Sequence, residues 1–529
     1  MDRGLLNIDI FMGFLRAGDY SAHQPVRNGF LTMKLRFVLG GLLLLLWLSF
    51  TPPALAVDGV NPQLLHRINR LSFGLKPGEL ERVQNLGSDR YLQEQLRPKS
   101  IRESANLTMQ LNQLESLNKS PSQLYRETRP RRSSGQRPSP EELNAAREKE
   151  NQILSQSVIA RLLRANSSNR QLQEVLTNFW FNHFNVFSGK ALTRIWTGAY
   201  EEQAIRPHTL GKFRQLLGAT ARHPAMLFYL DNWQNTADNA NLRGRFCGLN
   251  ENYARELMEL HTLGVDAGYT QSDVITLAKI FTGWGFPPKG QNSDQNYGFY
   301  FDPTRHDRSD KVFLGQAISG GGIEEGEKAL DILAKHPATA RYISYKLAQY
   351  FVADEPPASL VDRLASKFLE TDGDLSRVLK SLFSSPEFNE PRFYQGKFKT
   401  PLEYVISATR AIGVEAGNWR VLQGYLSQMG MPIYGRLTPD GYPQTQGTWL
   451  NPDAVTRRIN FATILTGERS PVLENPPASS NPSPPSVDAT RLVNTLGNNF
   501  SRETQAAIAA SPPRLKSAIL LGSPEFMYH

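Results

Sequence analysis

QLQEVLTNFWFNHFNVFSG, residues 171–189, sets Leu172, Leu176, Phe179, His183 and Phe187 on one stripe and Asn178, Asn182 and Asn185 on another. Apolar residues three and four apart are the period of a helix, not of a strand. The same period recurs after Val57, broken by Pro and Gly, and alternating runs are few. The sequence therefore predicts an all-α or mainly α protein, a multi-helix array. Helix starts support this: in Ser139-Pro140-Glu141-Glu142 serine caps, proline takes the first helical position and Glu142 reaches back. Thr270 with Asp273 forms a second such box. Alternation at Tyr297, Phe299 and Phe301, before a polar turn and a return segment, predicts one small β-hairpin at 297–315.

The chain has 529 residues, 40% of them hydrophobic, enough for a sizeable core and for more than one subdomain. Its one cysteine, Cys247, excludes an intrachain disulfide and any cluster of thiolate ligands. Residues 33–56 give a basic start (Lys34, Arg36), an apolar run Phe37–Phe50 and the small-residue ending Ala54-Leu55-Ala56. This is the pattern of a secretory signal cut after Ala56. The run of 14 residues falls short of the roughly 20 a membrane-spanning helix needs. An exported protein, periplasmic or extracellular, with no stable membrane span in the mature chain, is expected. Met33 then reads as the true start and residues 1–32 as a spurious extension. Removing residues 1–56 takes away five Lys/Arg and three Asp/Glu, leaving about +7, too mild for a nucleic-acid binder.

Two soft stretches divide the rest. Residues 127–138 carry four arginines and two prolines and read as a mobile basic loop; 475–486 is a Pro/Ser-rich linker. The expected organisation is a helical domain at 57–474 and a C-terminal helical appendage at 487–529. Ser-Pro-Glu-Phe ends a helix at 385–388 and again at 523–526, serine capping and proline opening the next turn.

Chemistry concentrates in GLNENYARELMELHTLG, 248–264. On an α-helical wheel Glu251, Asn252, Arg255, Glu256 and Glu259 share one polar arc, and His261 falls opposite, beside Ala254 and Leu257. His-Glu-x-x-His is absent, and Glu259-x-His261 replaces the Glu-x-x-His of di-iron bundles. The arc reads either as i,i+4 surface ion pairs or as a site in which Glu256 and Glu259 meet groups from other helices. His183 reads as a core contact or, with Trp180, Phe181 and Phe184, as the wall of a pocket. His223-Pro224 and His336-Pro337 read as helix caps. His306 and Asp307, in the expected turn, pair an imidazole with a carboxylate. Gly320-Gly321-Gly322 reads as a flexible linker. Gly-x-Ser-x-Gly, Walker and EF-hand patterns are missing, and no nucleotide, flavin or iron–sulfur signature is present.

LLHRINRLSFG (64–74), LTNFWFNHFNVF (176–187), NENYARELMELHTLGV (250–265), YTQSDV with TGW (269–284), HD with KVFLG (306–315), HPATARYISYKLAQYFVADEPP (336–357) and GYPQTQGTWLNPDAVTRRINFATIL (441–465) occur in order. Together they resemble the bacterial family called domain of unknown function 1800, over almost the whole mature chain. The resemblance implies an exported protein without an assigned activity, and an association with sulfatase-like exported proteins as partners.

Two functions remain in contention. One is an exported enzyme gathering Glu256, Glu259 and His183 as catalytic groups, with Arg255, Asn252, Asn182, His208, His261, His306 and Asp307 around them, for acid–base hydrolysis or hydrolysis assisted by a divalent metal. The other is a non-catalytic binding or assembly module of the cell envelope. Nucleic-acid binding through a helix–turn–helix at 250–284 is set aside because export contradicts it.

Overall fold

In the computed structural model, which describes residues 60–129, 137–238, 248–287, 298–414, 417–468, 470–473 and 487–529, the start at Ser139 is built as its letters predict. Ser139 Oγ accepts from the Glu142 N–H at 3.2 Å, and Glu142 Oε2 accepts from the Ser139 N–H at 2.8 Å. The helix so begun, Pro140–Ser167, runs 28 residues and packs against Thr193–Tyr200, Pro401–Ala411 and Trp419–Gln428. Thr270 and Asp273 close the second box at the head of Gln271–Ile280. The signal pattern at 1–56, the body of the basic loop at 130–136, Cys247, Tyr297 and the 475–486 linker lie outside the described residues.

Helix Gln171–His183 is buried almost all round, with Leu172, Leu176 and Trp180 at 0% exposure. Burying side chains of this size contributes roughly 1.5–3 kcal/mol each, so the stripe is a core element. It ends at His183, where the Phe184 N–H still reaches the Trp180 carbonyl, so Phe187 lies beyond it. Tyr200 Oη takes the Phe184 carbonyl at 3.0 Å and satisfies the freed acceptor.

The array is mainly α, with two small antiparallel strand pairs among the described residues. Trp284–Gly285 pairs with Tyr300–Phe301, and Lys311–Phe313 with Gln316–Ile318. The aromatic strand therefore does not pair with the segment that follows it, as the alternation had suggested. The hairpin is the later one, turned by Leu314 and Gly315, both at positive φ.

Past the Pro/Ser-rich stretch, Pro513–Gly522 packs on Pro452–Leu465 and Ala489–Leu496. The chain end pairs with 397–399: Lys399 N–H donates to the Met527 carbonyl at 2.9 Å and His529 N–H to the Lys397 carbonyl at 3.0 Å. Both Ser-Pro-Glu-Phe serines cap as expected, Ser385 for Phe388 and Ser523 for Phe526. His223 and His336 cap with Nδ1, each accepting at 3.1 Å from the residue two ahead.

Among the described residues two helices finish in π-turns, Glu201–Ile205 and Leu257–Thr262. A π-turn slips the register by one residue, a local cost that tertiary contacts must offset. At the first, the slip turns Glu201 inward to Arg161, Arg206 and Tyr434. Among the described residues no helix is long and apolar enough to cross a membrane.

Candidate functional site

The asparagine stripe of 171–189 acts as a strap. Asn182 Nδ2 donates to the Tyr442 carbonyl at 2.8 Å and its Oδ1 accepts the Tyr442 N–H at 2.7 Å, so the side chain mimics a strand partner. Asn185 Nδ2 donates to the Arg436 and Thr438 carbonyls at 3.0 and 2.8 Å. From the other side Tyr229 Oη donates to the Leu437 carbonyl at 2.7 Å. These bonds seat residues 434–442, and Asp440 with them, over the end of the 171–183 helix.

Beneath the strap His183 and His261 meet. His183 Nε2 donates to the His261 carbonyl at 3.1 Å, with ring centroids 6.2 Å apart and Phe184 against both. Burial holds the His183 imidazole well below its ordinary value, and burial takes His261 down to about 3. Both rings are thus neutral packing groups. His261 Nε2 has no partner among the described residues, so neither Glu256 nor Glu259 bonds to it.

The α-helical wheel holds only as far as Glu256, because Asn252–Glu256 is α and Leu257–Thr262 is π, with the Leu263 N–H on the Met258 carbonyl at 2.9 Å. Thr262 Oγ1 caps the slip by donating to the Leu257 carbonyl at 2.6 Å. His261 nevertheless stays on the buried side. On the polar arc Arg255 bonds Glu251 at 3.1 Å and Glu259 at 3.6 Å, and Gln271 closes the set by donating to Glu251 at 2.7 Å. These groups are partly exposed, as surface ion pairs are. Asn252 donates to the Leu230 carbonyl at 3.2 Å and is a positioning contact.

Glu256 is different. Among the described residues its carboxylate has no ion-pair or hydrogen-bond partner, and it is half-buried. Burial raises its carboxyl, and the charges of Glu259 and then Asp440 add to this against the opposing Arg255. Asp440 goes the other way. Burial works to raise it, but the Thr438 hydroxyl and the Arg436 guanidinium, 2.9 Å from Oδ2, hold it below the usual carboxylate range. Burial also lowers Lys346, whose charge bears on His183 and is met by that of Asp440. Tyr229 feels both Glu256 and Asp440. Two carboxyls displaced in opposite directions, Asp440 on the strap and Glu256 on the neighbouring helix, are thus electrostatically coupled.

A family model described as "Protein of unknown function (DUF1800)" matches residues 66–528. The chain belongs to this family. No curated protein matches it, and no solved structure does.

The remaining candidates lie apart from the DUF1800 chain's strap. His208 closes a 3-10 turn, Arg206–His208, where burial alone lowers it. His306 does have a carboxylate partner, but it is Glu325 at 3.0 Å, whereas Asp307 caps its own turn by accepting the Ser309 N–H at 2.9 Å. Lys311 bonds Glu325 at 2.7 Å, and Gly321 N–H donates to it at 2.7 Å. His306, Lys311 and Glu325 side chains are almost completely enclosed, so they form a clasp between segments. The glycine run before Glu325 is consequently no loose linker: a Cβ on Gly320 would strike the Arg308 carbonyl. Among the described residues no group of three or more His, Cys, Asp or Glu comes together as a metal-binding set. Sequence reasoning missed Asp440, Lys346 and Glu325, and nothing local marks the last two. The Asp-Gly of 440–441, a tight-turn dipeptide next to an aromatic, was the available signal for the first.

The clasp has a pH signature. Burial opposes ionisation of Glu325, yet the hydrogen bonds from His306, Lys311 and Gly321 outweigh it and lower its folded value. A lowered carboxyl contributes stability above its unfolded value, and that contribution is lost as pH falls through the folded one. Glu325→Gln should therefore lower Tm at pH 7 and flatten the acid limb below about pH 4.5, read by thermal melts from pH 3 to 8. An unchanged acid limb would remove Glu325 from this role.

Proposed function

We propose that this DUF1800 chain is an exported acid–base hydrolase, with Glu256 as general acid and Asp440 as general base. The observation that carries the reading is the unpartnered, half-buried carboxyl of Glu256, raised by burial and by Glu259 and Asp440, and coupled to a lowered Asp440. Carboxyls displaced in opposite directions suit the two halves of a proton-transfer cycle, the raised one as acid and the lowered one as base. Glu259 and Arg255 act as positioning groups, and His183 and His261 as the neutral floor. The secretory pattern at 33–56 supports action outside the cytoplasm.

The test is a panel of chromogenic glycosides, esters and phosphoesters with the purified protein. Glu256→Gln and Asp440→Asn should each lower the rate about 10²–10⁴-fold, the range of a general acid or base. Turnover unaltered by either change, or no turnover across the panel, would defeat the proposal. A stability readout accompanies it. A raised carboxyl costs stability once pH exceeds its folded value, so Glu256→Gln should raise Tm at pH 7 and lose that advantage below about pH 4.5. A surface ion pair would show the opposite sign.

A binding module of the cell envelope is the second reading, favoured by Val265 and Leu437, 68% and 66% exposed on the two segments that frame Glu256. It gains if the panel is silent and Val265→Asp abolishes capture of envelope material by the intact protein.

A further inference from the structure

Arg70 lies in the last turn of the first described helix, Pro62–Leu71, and is 2% exposed. Its Nη2 donates to the Phe393 carbonyl at 3.1 Å and more distantly to that of Val352, but Nε and Nη1 have no partner among the described residues. Beside it is a small enclosed cavity lined by Arg70, Lys399, Asn69, Tyr350, Glu403 and His529. The cavity has about 10 Å³ of space for the centre of a water-sized sphere, room for one such particle.

The charge around this space is unbalanced. Arg70, Lys399 and Arg458 are all buried, and none has a carboxylate within ion-pair distance among the described residues. Lys399 Nζ donates to Ser407 Oγ at 2.9 Å and to the Phe526 carbonyl at 2.7 Å, and Arg458 Nη1 is also unpartnered. Of the two nearby acids, Asp354 is engaged by Lys397, and Glu403, in the cavity wall, spends Oε2 on the Thr400 N–H and hydroxyl and offsets Arg70, Lys399 and Arg458 only from beyond ion-pair distance. A buried cation with unused N–H groups calls for a counter-charge.

We propose that the cavity is a halide site, in which one monatomic anion accepts from Arg70 Nη1 under the field of Lys399. The anion ties the Pro62–Leu71 helix to the 397–399 segment and to Phe526–His529, which Lys399 and the backbone pairing already join. It is therefore a structural ligand, separate from the Glu256 strap.

Replacing gluconate by chloride or bromide at constant ionic strength should raise the Tm of the purified full chain along a saturable isotherm. Arg70→Met should abolish the dependence and Lys399→Gln should shift its midpoint to higher halide. Bromide-soaked crystals should show an anomalous peak beside Arg70, which decides the matter even if Arg70→Met does not fold. Water alone in the cavity, an equal Tm in gluconate and chloride, or halide dependence that survives Arg70→Met would each overturn the proposal.

Discussion

Glu201→Gln is expected to destabilise the protein by about 3–5 kcal/mol, the cost of leaving the buried Arg161 without its carboxylate and weakening the hold on Arg206. Glu201, at the head of the first π-turn, has a side chain only 2% exposed. Its Oε2 takes Arg161 at 3.1 Å and the Tyr434 hydroxyl at 3.1 Å, and its Oε1 takes Arg206 at 3.0 Å. Arg161 also donates to Asn178 at 2.8 Å and stacks on Phe181 and Tyr434. Arg206 is further held by both oxygens of Glu174 at 2.6 Å. One carboxylate thus joins three helical segments to the strap residue Tyr434. Its neutral isostere would keep the volume and lose the charge. Glu202, on the same π-turn but 15% exposed, is the control: Glu202→Gln should cost well under half as much, since water replaces what is lost. Urea denaturation followed by far-UV circular dichroism gives both values. A loss under about 1 kcal/mol for Glu201→Gln would show that the network is not a keystone of the fold.

The π-turns mark where the sequence stopped being readable. Ser139, Thr270, His223 and His336 announced their caps because a cap is a contact within four residues, and the local letters contain both partners. The 172–183 stripe was legible for the same reason, since periodicity is local. Neither π-turn has such a signature. At Leu257–Thr262 the slip is stabilised by Thr262 on Leu257 and by His261 packing against His183 and Phe184, partners some 78 positions away. The same limit explains the site. Glu256 was readable as a carboxylate on a polar arc, but what separates it from Glu251 and Glu259, burial without a partner and to a lesser extent the charge of Asp440, is tertiary, and the two asparagines that hold the Asp440 segment suggested only a second stripe. His306 pointed to an acidic partner, and the fold supplied Glu325 in place of its neighbour Asp307 because the Gly320 close approach presents that helix start.

Gly441→Ala should unseat the strap and separate the two carboxyls, with a combined cost of about 2–4 kcal/mol from backbone strain and overpacking. Gly441 has φ +73°, where a Cβ crowds its own carbonyl, and that Cβ would also meet the Asn182 carbonyl and its Oδ1, the latter at 2.8 Å. The obstacle cannot move aside cheaply: the Asn182 carbonyl belongs to the buried 171–183 helix, and Oδ1 accepts the Tyr442 N–H. The strain is therefore relieved by releasing residues 434–442. Gly430 supplies the contrast, since it has φ +82° with nothing within 4 Å of an added Cβ. Gly430→Ala pays only the conformational term, about 1–2 kcal/mol, and leaves the strap seated. Hydrogen exchange should then show faster exchange of the Tyr442 amide in Gly441→Ala alone. The Glu256 signature should shrink with it: part of the elevation of Glu256 comes from Asp440, so the Tm gain of Glu256→Gln at pH 7 should be smaller in the Gly441→Ala background than in the wild type. An undiminished gain, with Tyr442 still protected, would mean that Asp440 is not held to Glu256 by this contact.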